Sequence, residues 1–256
     1  MDLSEFAARL DDELAVDEWR GADYAVNGLQ VGPESATVDH AAFAVDGVAA
    51  TFEAAADADA DVLVVHHGIS WGGIERVTGM EYDRIATLLD NDLALYAVHL
   101  PLDAHPEYGN AARLCDHLDL TVAEPFGREG PGHVGQRGRT VDRDAYTTAE
   151  LRDALATLDT GGEPVQVLDF GPDRIEDVAV LTGSGTDWLD EARAKGVDAL
   201  VTGEGKQPAY HEARETDISV FLAGHYATET FGVRALRELV AEWGIETTYL
   251  SHPTGL

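Results

Sequence analysis

An α/β fold in two lobes, each a mixed sheet flanked by helices, is predicted by three observations. Short apolar runs rich in Val, Leu and Ala alternate with helix-spaced runs almost from end to end. That rhythm breaks at residues 125–138, where Gly127, Gly130, Pro131, Gly132, Gly135 and Gly138 crowd together. Histidines and carboxylates gather where apolar runs stop, and the ends of strands are where open α/β sheets hold their ligands.

In order, Asn27 to Gly32 reads as a turn into a strand, residues 41–45 as a strand, 48–56 as a helix and 61–67 as a buried strand. A helix over 81–91, a strand over 93–100 and a helix over 111–118 follow. The glycine-rich run is a linker or a hairpin. Thr147 and Glu150 have the spacing of a capping box, so a helix opens there and runs over 148–158. Strands are expected at 165–170 and 178–181, a helix at 188–195, and strands at 199–202 and 219–223. The helix over 228–243 carries Phe231, Ala235, Leu236, Leu239 and Val240 on one face, and a strand over 246–251 closes the chain. This last pair is expected to return to the first lobe, giving lobes of 1–125 plus 226–256 and of 126–225, with a metal site between them at the strand ends.

Three clusters carry the chemistry. His66 and His67 end the run Val62 to Val65. Neighbours on a strand point to opposite faces, so both reach one site only if the strand stops there, as Gly68 favours. Otherwise they serve two metals from either side, or pack as ordinary strand-end histidines. His99, Asp103 and His105 follow the strand 93–100, where Asp103 suits a bridging ligand and the histidines suit ligands, their supports or substrate contacts. His225 and Glu229 are four apart, and share a face if helical geometry begins near His225. Together these imidazoles and carboxylates exceed the four ligands of a closed structural zinc site. They suit two divalent ions, of Zn, Fe or Mn, sharing a carboxylate and keeping open positions. Hydrolysis at a phosphate, an amide or a ring C=N bond is the expected chemistry. Gly183-Ser184-Gly185 and Thr202-Gly203-Glu204-Gly205 are each either an anion cradle or a tight turn, and neither is a Walker loop. Trp71 and Tyr226 either stack on a base or roof the site.

At these clusters the chain resembles the dinuclear-metal-centre hexameric proteins, the Nif-three-like family often labelled GTP cyclohydrolase I type 2 homologues. The matching segments are DYAVNGLQVG, VHHGISW, VHLPLDAHPEYGN, TGSG, GVDALVTGE and AGHYATE, in order along nearly the whole chain, while residues 124–177 match loosely. Val26 departs from the family pattern, where proline is common, as does Ile69-Ser70, where aromatic residues are frequent. The resemblance implies a two-lobed subunit and a toroidal homohexamer, a trimer of dimers, with metal sites facing an internal cavity. It implies two divalent ions per subunit on His66, His67, Asp103, His225 and Glu229, with His99 beside them. The function implied is metal-dependent hydrolysis of a nucleotide-like or other small anionic substrate, His99 or Glu229 handling protons in catalysis. The alternative is a non-catalytic ring for metal handling or protein interaction.

Composition bounds the partners. The 256 residues hold 48 Asp plus Glu against 17 Lys plus Arg, a formal charge of −31, and Lys195 and Lys206 are the only lysines. Such a surface argues against nucleic acid as a partner, and a polybasic route to anionic membranes is excluded. No apolar run approaches the ~20 residues of a membrane span. The acidic N-terminal segment lacks the charged start and apolar core of a signal peptide, so a soluble cytoplasmic protein is expected. Cys115, the single cysteine, rules out an internal disulfide and reads as a small core residue. So much negative charge repels itself unless salt screens it, and at molar salt the Debye length is about 3 Å. The composition therefore reads as that of a salt-accumulating halophile. On this reading the chain unfolds on dialysis into dilute buffer without metal or counter-cation and refolds in molar KCl; circular dichroism across a salt series checks it.

Overall fold

The structure, a computed structural model, describes residues 1–33, 35–141 and 144–256. Its first half contains α1 (Leu3–Glu13), β1 (Gly28–Val31), β2 (His40–Asp46), α2 (Ala49–Asp57), β3 (Val62–His67), α3 (Met80–Asp90), β4 (Ala94–Ala97), α4 (Leu100–Asp103), α5 (Asn110–His117) and β5 (Leu120–Glu129). There follow β6 (Gly132–Thr140), α6 (Thr148–Leu155), β7 (Gln166–Leu168), β8 (Asp177–Val180), α7 (Leu189–Lys195), β9 (Ala199–Thr202), α8 (Ala209–Thr216), β10 (Ser219–Leu222), α9 (His225–Glu242) and β11 (Glu246–Tyr249). Among the described residues these build two mixed sheets flanked by helices, the α/β class expected. The chain divides into a first unit, Met1–Leu102 with Gly232–His252, and a second, Asp103–Phe231 with Pro253–Leu256.

The sheet of the first unit has the order β1-β4-β3-β2-β11. β4, β3, β2 and β11 run parallel, and β1 lies antiparallel on the edge. Parallel strands are covered on both faces and therefore read as continuous apolar runs, as β3 and β4 do. Phe52, Leu63, Val65, Leu88 and Leu95 pack into one core cluster there. Register sets the strand ends side by side: Asp46 of β2 pairs with His67 of β3, and Val65 of β3 with Ala97 of β4. The carboxyl ends of three neighbouring strands thus deliver Asp46, His66, His67 and His99 to one edge of the sheet. α1 lies outside the elements expected; Leu3, Phe6, Ala7 and Leu10, on one helical face, are its buried residues.

In the second unit the order is β5-β6-β8-β9-β10-β7, with β8, β9 and β10 parallel and the outer pairs antiparallel. Its core includes Leu114, Leu118, Leu151, Val178, Val201 and Phe221. The glycine-rich run proves to be the turn and inner arms of the β5–β6 hairpin rather than a linker. Pro125 is tolerated because β5 is an edge strand. Gly135 meets a close approach: a Cβ there would lie 2.7 Å from the Val180 carbonyl oxygen and 3.2 Å from Leu181 Cβ. The capping box forms as the spacing requires, Thr147 N donating to Glu150 Oε2 over 2.8 Å and Glu150 N to Thr147 Oγ1 over 3.3 Å.

Gly135→Ala therefore forces backbone and Leu181 apart in a packed sheet and costs about 1–3 kcal/mol. Thr147→Ala loses only an exposed cap, about 1 kcal/mol. Urea midpoints at fixed molar salt should rank the two variants below the parent, with unchanged m.

Candidate metal centre

In the first unit, three histidines are gathered at the strand ends. Ring centroids are 4.7 Å apart for His66 and His67, 5.0 Å for His66 and His99, and 5.7 Å for His67 and His99. One ring nitrogen from each lies within 4.8 Å of the others. The strand stops at His67, as bringing both neighbours to one site requires: its carbonyl accepts Gly47 N over 2.7 Å. Each ring is tied through Nδ1. His66 Nδ1 meets the Val98 carbonyl at 3.0 Å, His67 Nδ1 meets Asp46 Oδ1 at 2.8 Å, and His99 Nδ1 meets Asp23 Oδ1 at 3.1 Å. Carbonyls and carboxylates only accept, so Nδ1 carries the proton and Nε2 the lone pair in each neutral ring. That is the arrangement metal-binding histidines use, with an acceptor behind the ring fixing tautomer and orientation. Trp71 stands over the group, 6.0 Å from His67 and edge-on to His99 at 5.2 Å.

In the second unit, α9 begins at His225, three residues before the expected start, so His225 and Glu229 do share a helical face. His225 Nε2 lies 3.2 Å from Glu229 Oε2 and its Nδ1 lies 3.2 Å from Glu204 Oε1. Glu229 is buried and Glu204 exposed. Gly183, at φ +62°, runs beneath the pair: a Cβ would overlap Glu229 Oε1 and come within 3.2 Å of His225 Nε2. Its backbone is pinned, Gly183 N donating to Thr228 Oγ1 and its carbonyl accepting Gly203 N and Glu204 N. The Thr182–Gly185 and Thr202–Gly205 turns thus build the floor and one wall of the His225–Glu229 pair; Gly203 N and Glu204 N are already committed to Gly183.

Asp103 ends α4, is buried, and accepts Asn110 Nδ2 over 2.8 Å. His105 is a turn residue: its Nδ1 accepts Glu107 N and Tyr108 N, and its ring stacks on Tyr108 at 4.6 Å. Tyr226 is 3 % exposed, which removes it as a stacking platform. The three sequence clusters point to no chemical role for Asp23, Asn27, Gln30 or Asp46, and the sequence places Glu204 only within a cradle or a turn. Gln30 braces the turn after His67, accepting Ile69 N at 2.8 Å and donating to the Val26 carbonyl at 2.6 Å. The signal that would have found the first two is their own spacing, a carboxylate and an amide four apart ahead of an edge strand.

A family model described as Duf34/NIF3 (NGG1p interacting factor 3) matches residues 1–254. A protein of Halobacterium salinarum named GTP cyclohydrolase 1 type 2 homolog is 57 % identical over the whole of both chains. A protein of the same name from Archaeoglobus fulgidus is 41 % identical, again over the whole of both. Among solved structures, TTHA1606 from Thermus thermophilus superposes with a TM-score of 0.89 at 37 % identity, and protein ybgI, described as of unknown function, with 0.90 at 34 %; both comparisons cover all of each chain.

The His225 arrangement has a signed consequence. Burial alone would lower the imidazole's pKa, but the carboxylates of Glu229 and then Glu204 outweigh it and hold the proton up to about 9, from 6.5. A raised folded-state pKa stabilises fully below about 6.5 and is lost as pH rises through about 9. The metal-free protein should therefore lose stability between those pH values, read as a falling urea midpoint, and His225→Gln should flatten the decline. Gly183→Ala should disperse the Glu229–His225 pair and flatten the same decline of the urea midpoint with pH.

Proposed function

The chain belongs to the Duf34/NIF3 family, and from that premise we propose that it is a dinuclear metal-binding protein acting as a metal-dependent hydrolase on a nucleotide-like or other small anionic substrate. The observation that carries the reading is the pair of strand-end imidazoles of His66 and His67, each held through Nδ1, with the likewise oriented His99 ring beside them as the proton-handling group. The donor set fits: imidazole nitrogen and carboxylate oxygen suit Zn, Fe and Mn alike. His66 and His67 of the first unit, with Asp103, His225 and Glu229 of the second, are the proposed ligands of two divalent ions.

Bound divalent ions supply Lewis acidity and a nucleophile at neutral pH. The chain's own residues do the rest. His99 handles protons through Nε2, and Glu229, held against His225 in the metal-free protein, is the second acid–base group. Trp71, 39 % exposed beside His67 and His99, is the wall against which a planar base lies. A toroidal homohexamer, a trimer of dimers, belongs to the proposal. Exposed Ile74, Val77, Met80 and Tyr82 follow one another along the first unit, an apolar run that a chain of charge −31 gains by covering. A cytoplasmic location is part of the same reading and suits a single, buried cysteine.

Protein purified in molar salt should carry about two divalent ions per subunit by elemental analysis and turn over a member of a nucleotide, phosphoester and cyclic-amide panel. Chelation, or His225→Ala with Glu229→Ala, should abolish turnover while the ring persists in size-exclusion chromatography. A ring that falls apart on metal removal assigns the metal a structural role instead. Full metal occupancy with no turnover across the panel overturns the hydrolase and leaves the metal-handling ring.

A further inference from the structure

A carboxylate withdrawn from water is tolerated only where donors replace the lost solvent. The side chain of Asp23 is 2 % exposed. Its Oδ1 accepts Ala25 N at 2.9 Å and His99 Nδ1 at 3.1 Å, and its Oδ2 accepts Asn27 Nδ2 at 2.9 Å and Leu100 N at 3.0 Å. Burial would raise its pKa, but the His99 ring, Asn27 and Ala25 N together lower it to about 2. Asp23 is therefore an acceptor at any working pH. Asn27 completes the grip, since its Oδ1 takes the backbone N–H of His99 at 2.7 Å. Ring and main chain of His99 are thus both held by the segment ahead of β1, and the ring stands 5.0 Å from His66 and edge-on to Trp71.

We propose that Asp23, seconded by Asn27, is a positioning residue that locks His99 as the Nδ1–H tautomer and so presents Nε2, beside His66 and His67, as the site's proton acceptor. The use made of that proton rests on the hydrolytic reading above. As water adds to the substrate's electrophilic centre, Nε2 takes one water proton; as the bond to the leaving group breaks, Nε2 returns it to that group. The ring begins and ends neutral, and one water is consumed. A solvated neutral imidazole populates both tautomers, so without Asp23 part of the population would carry its proton on the nitrogen that must accept one. Asp23 does not touch substrate. It acts through His99 alone.

The test uses the full-length protein labelled with nitrogen-15 histidine, stripped of metal and kept in molar salt. Two-bond proton–nitrogen spectra report each ring's tautomer, with His99 assigned by its loss in His99→Gln. The expected result is a single Nδ1–H tautomer for His99 in the parent chain. Asp23→Ala should transfer a large share of it to Nε2–H while His66 and His67 keep their Nδ1–H patterns, which shows the strand ends intact. His99 protonated on Nε2 in the parent, or a tautomer unmoved in Asp23→Ala, overturns the proposal. The parent spectrum decides on its own if Asp23→Ala does not fold, and Asp23→Asn, close in size, gives the second comparison. Where a substrate is in hand, Asp23→Ala should lower kcat by about 10²–10⁴-fold with little change in KM, the scale on which an orienting carboxylate acts behind a catalytic histidine. A metal-loaded parent without turnover sinks the hydrolase reading and leaves the tautomer result standing.

Discussion

The first unit's site is arranged about one hydrogen bond, from His66 Nδ1 to the carbonyl of Val98. His66 is wholly buried, and an imidazole in a protein interior is costly unless its polar atoms are engaged. The same residue, Val98, donates its N–H to the Val65 carbonyl at 2.9 Å. Its two ends therefore join the ring of β3 to the backbone ladder between β3 and β4. With Val98 fixed, the next residue, His99, emerges beside His66, and Asp23 and Asn27 need only close the far side. His67, one residue on, is fixed from β2 through Asp46. Parallel register supplies the proximity, and the side-chain bonds turn proximity into orientation.

Charge is sorted by depth. Of 48 acidic residues, Asp103 and Glu229 are, among the described residues, those buried as whole residues, and the Asp23 side chain joins them. Each has a specific donor: Asn110 for Asp103, His225 for Glu229, and His99 with backbone amides for Asp23. The other described acidic residues face water at least in part. Salt screens exposed charges separated by more than a Debye length and leaves buried pairs much less affected. High ionic strength can therefore relieve the surface repulsion of a −31 chain without dissolving the contacts that hold the site.

What sequence made legible is what has a local period. The apolar runs expected as strands over 61–67 and 93–100 hold β3 and β4, the second strand stopping at Ala97; the Thr147–Glu150 spacing forms a cap, and His225 and Glu229 share a helical face. The hairpin was half legible, because β5 is a largely exposed edge strand without the alternation of a covered one, and glycines such as Gly135 serve close packing rather than flexibility. Least legible were the residues behind the imidazoles. Asp23 reaches His99 across 76 positions and Asp46 reaches His67 across 21, separations that leave no periodic trace. Glu204 sat inside a segment read as either cradle or turn, and only the approach of β9's end to α9 decides between them. The turn wins, with its carboxylate turned to His225.

The two units meet the same chemical problem with different balances of charge. His67 and His99 each face one carboxylate through Nδ1, and His66 a neutral carbonyl. His225 has a carboxylate at both nitrogens, and its proton is held up to about 9. At neutral pH the metal-free His225 ring is therefore held protonated between the Glu229 and Glu204 side chains, and Glu229 lies buried against it at 4 % exposure. Removing that charge without replacing it leaves the buried Glu229 side chain facing Glu204 across a neutral ring. His225 and Glu229 are the residues that would hold a divalent cation here, and such a cation would supply the positive charge in the proton's place. Gly183 makes either state possible: any side chain at that position would occupy the space where Glu229 turns toward His225.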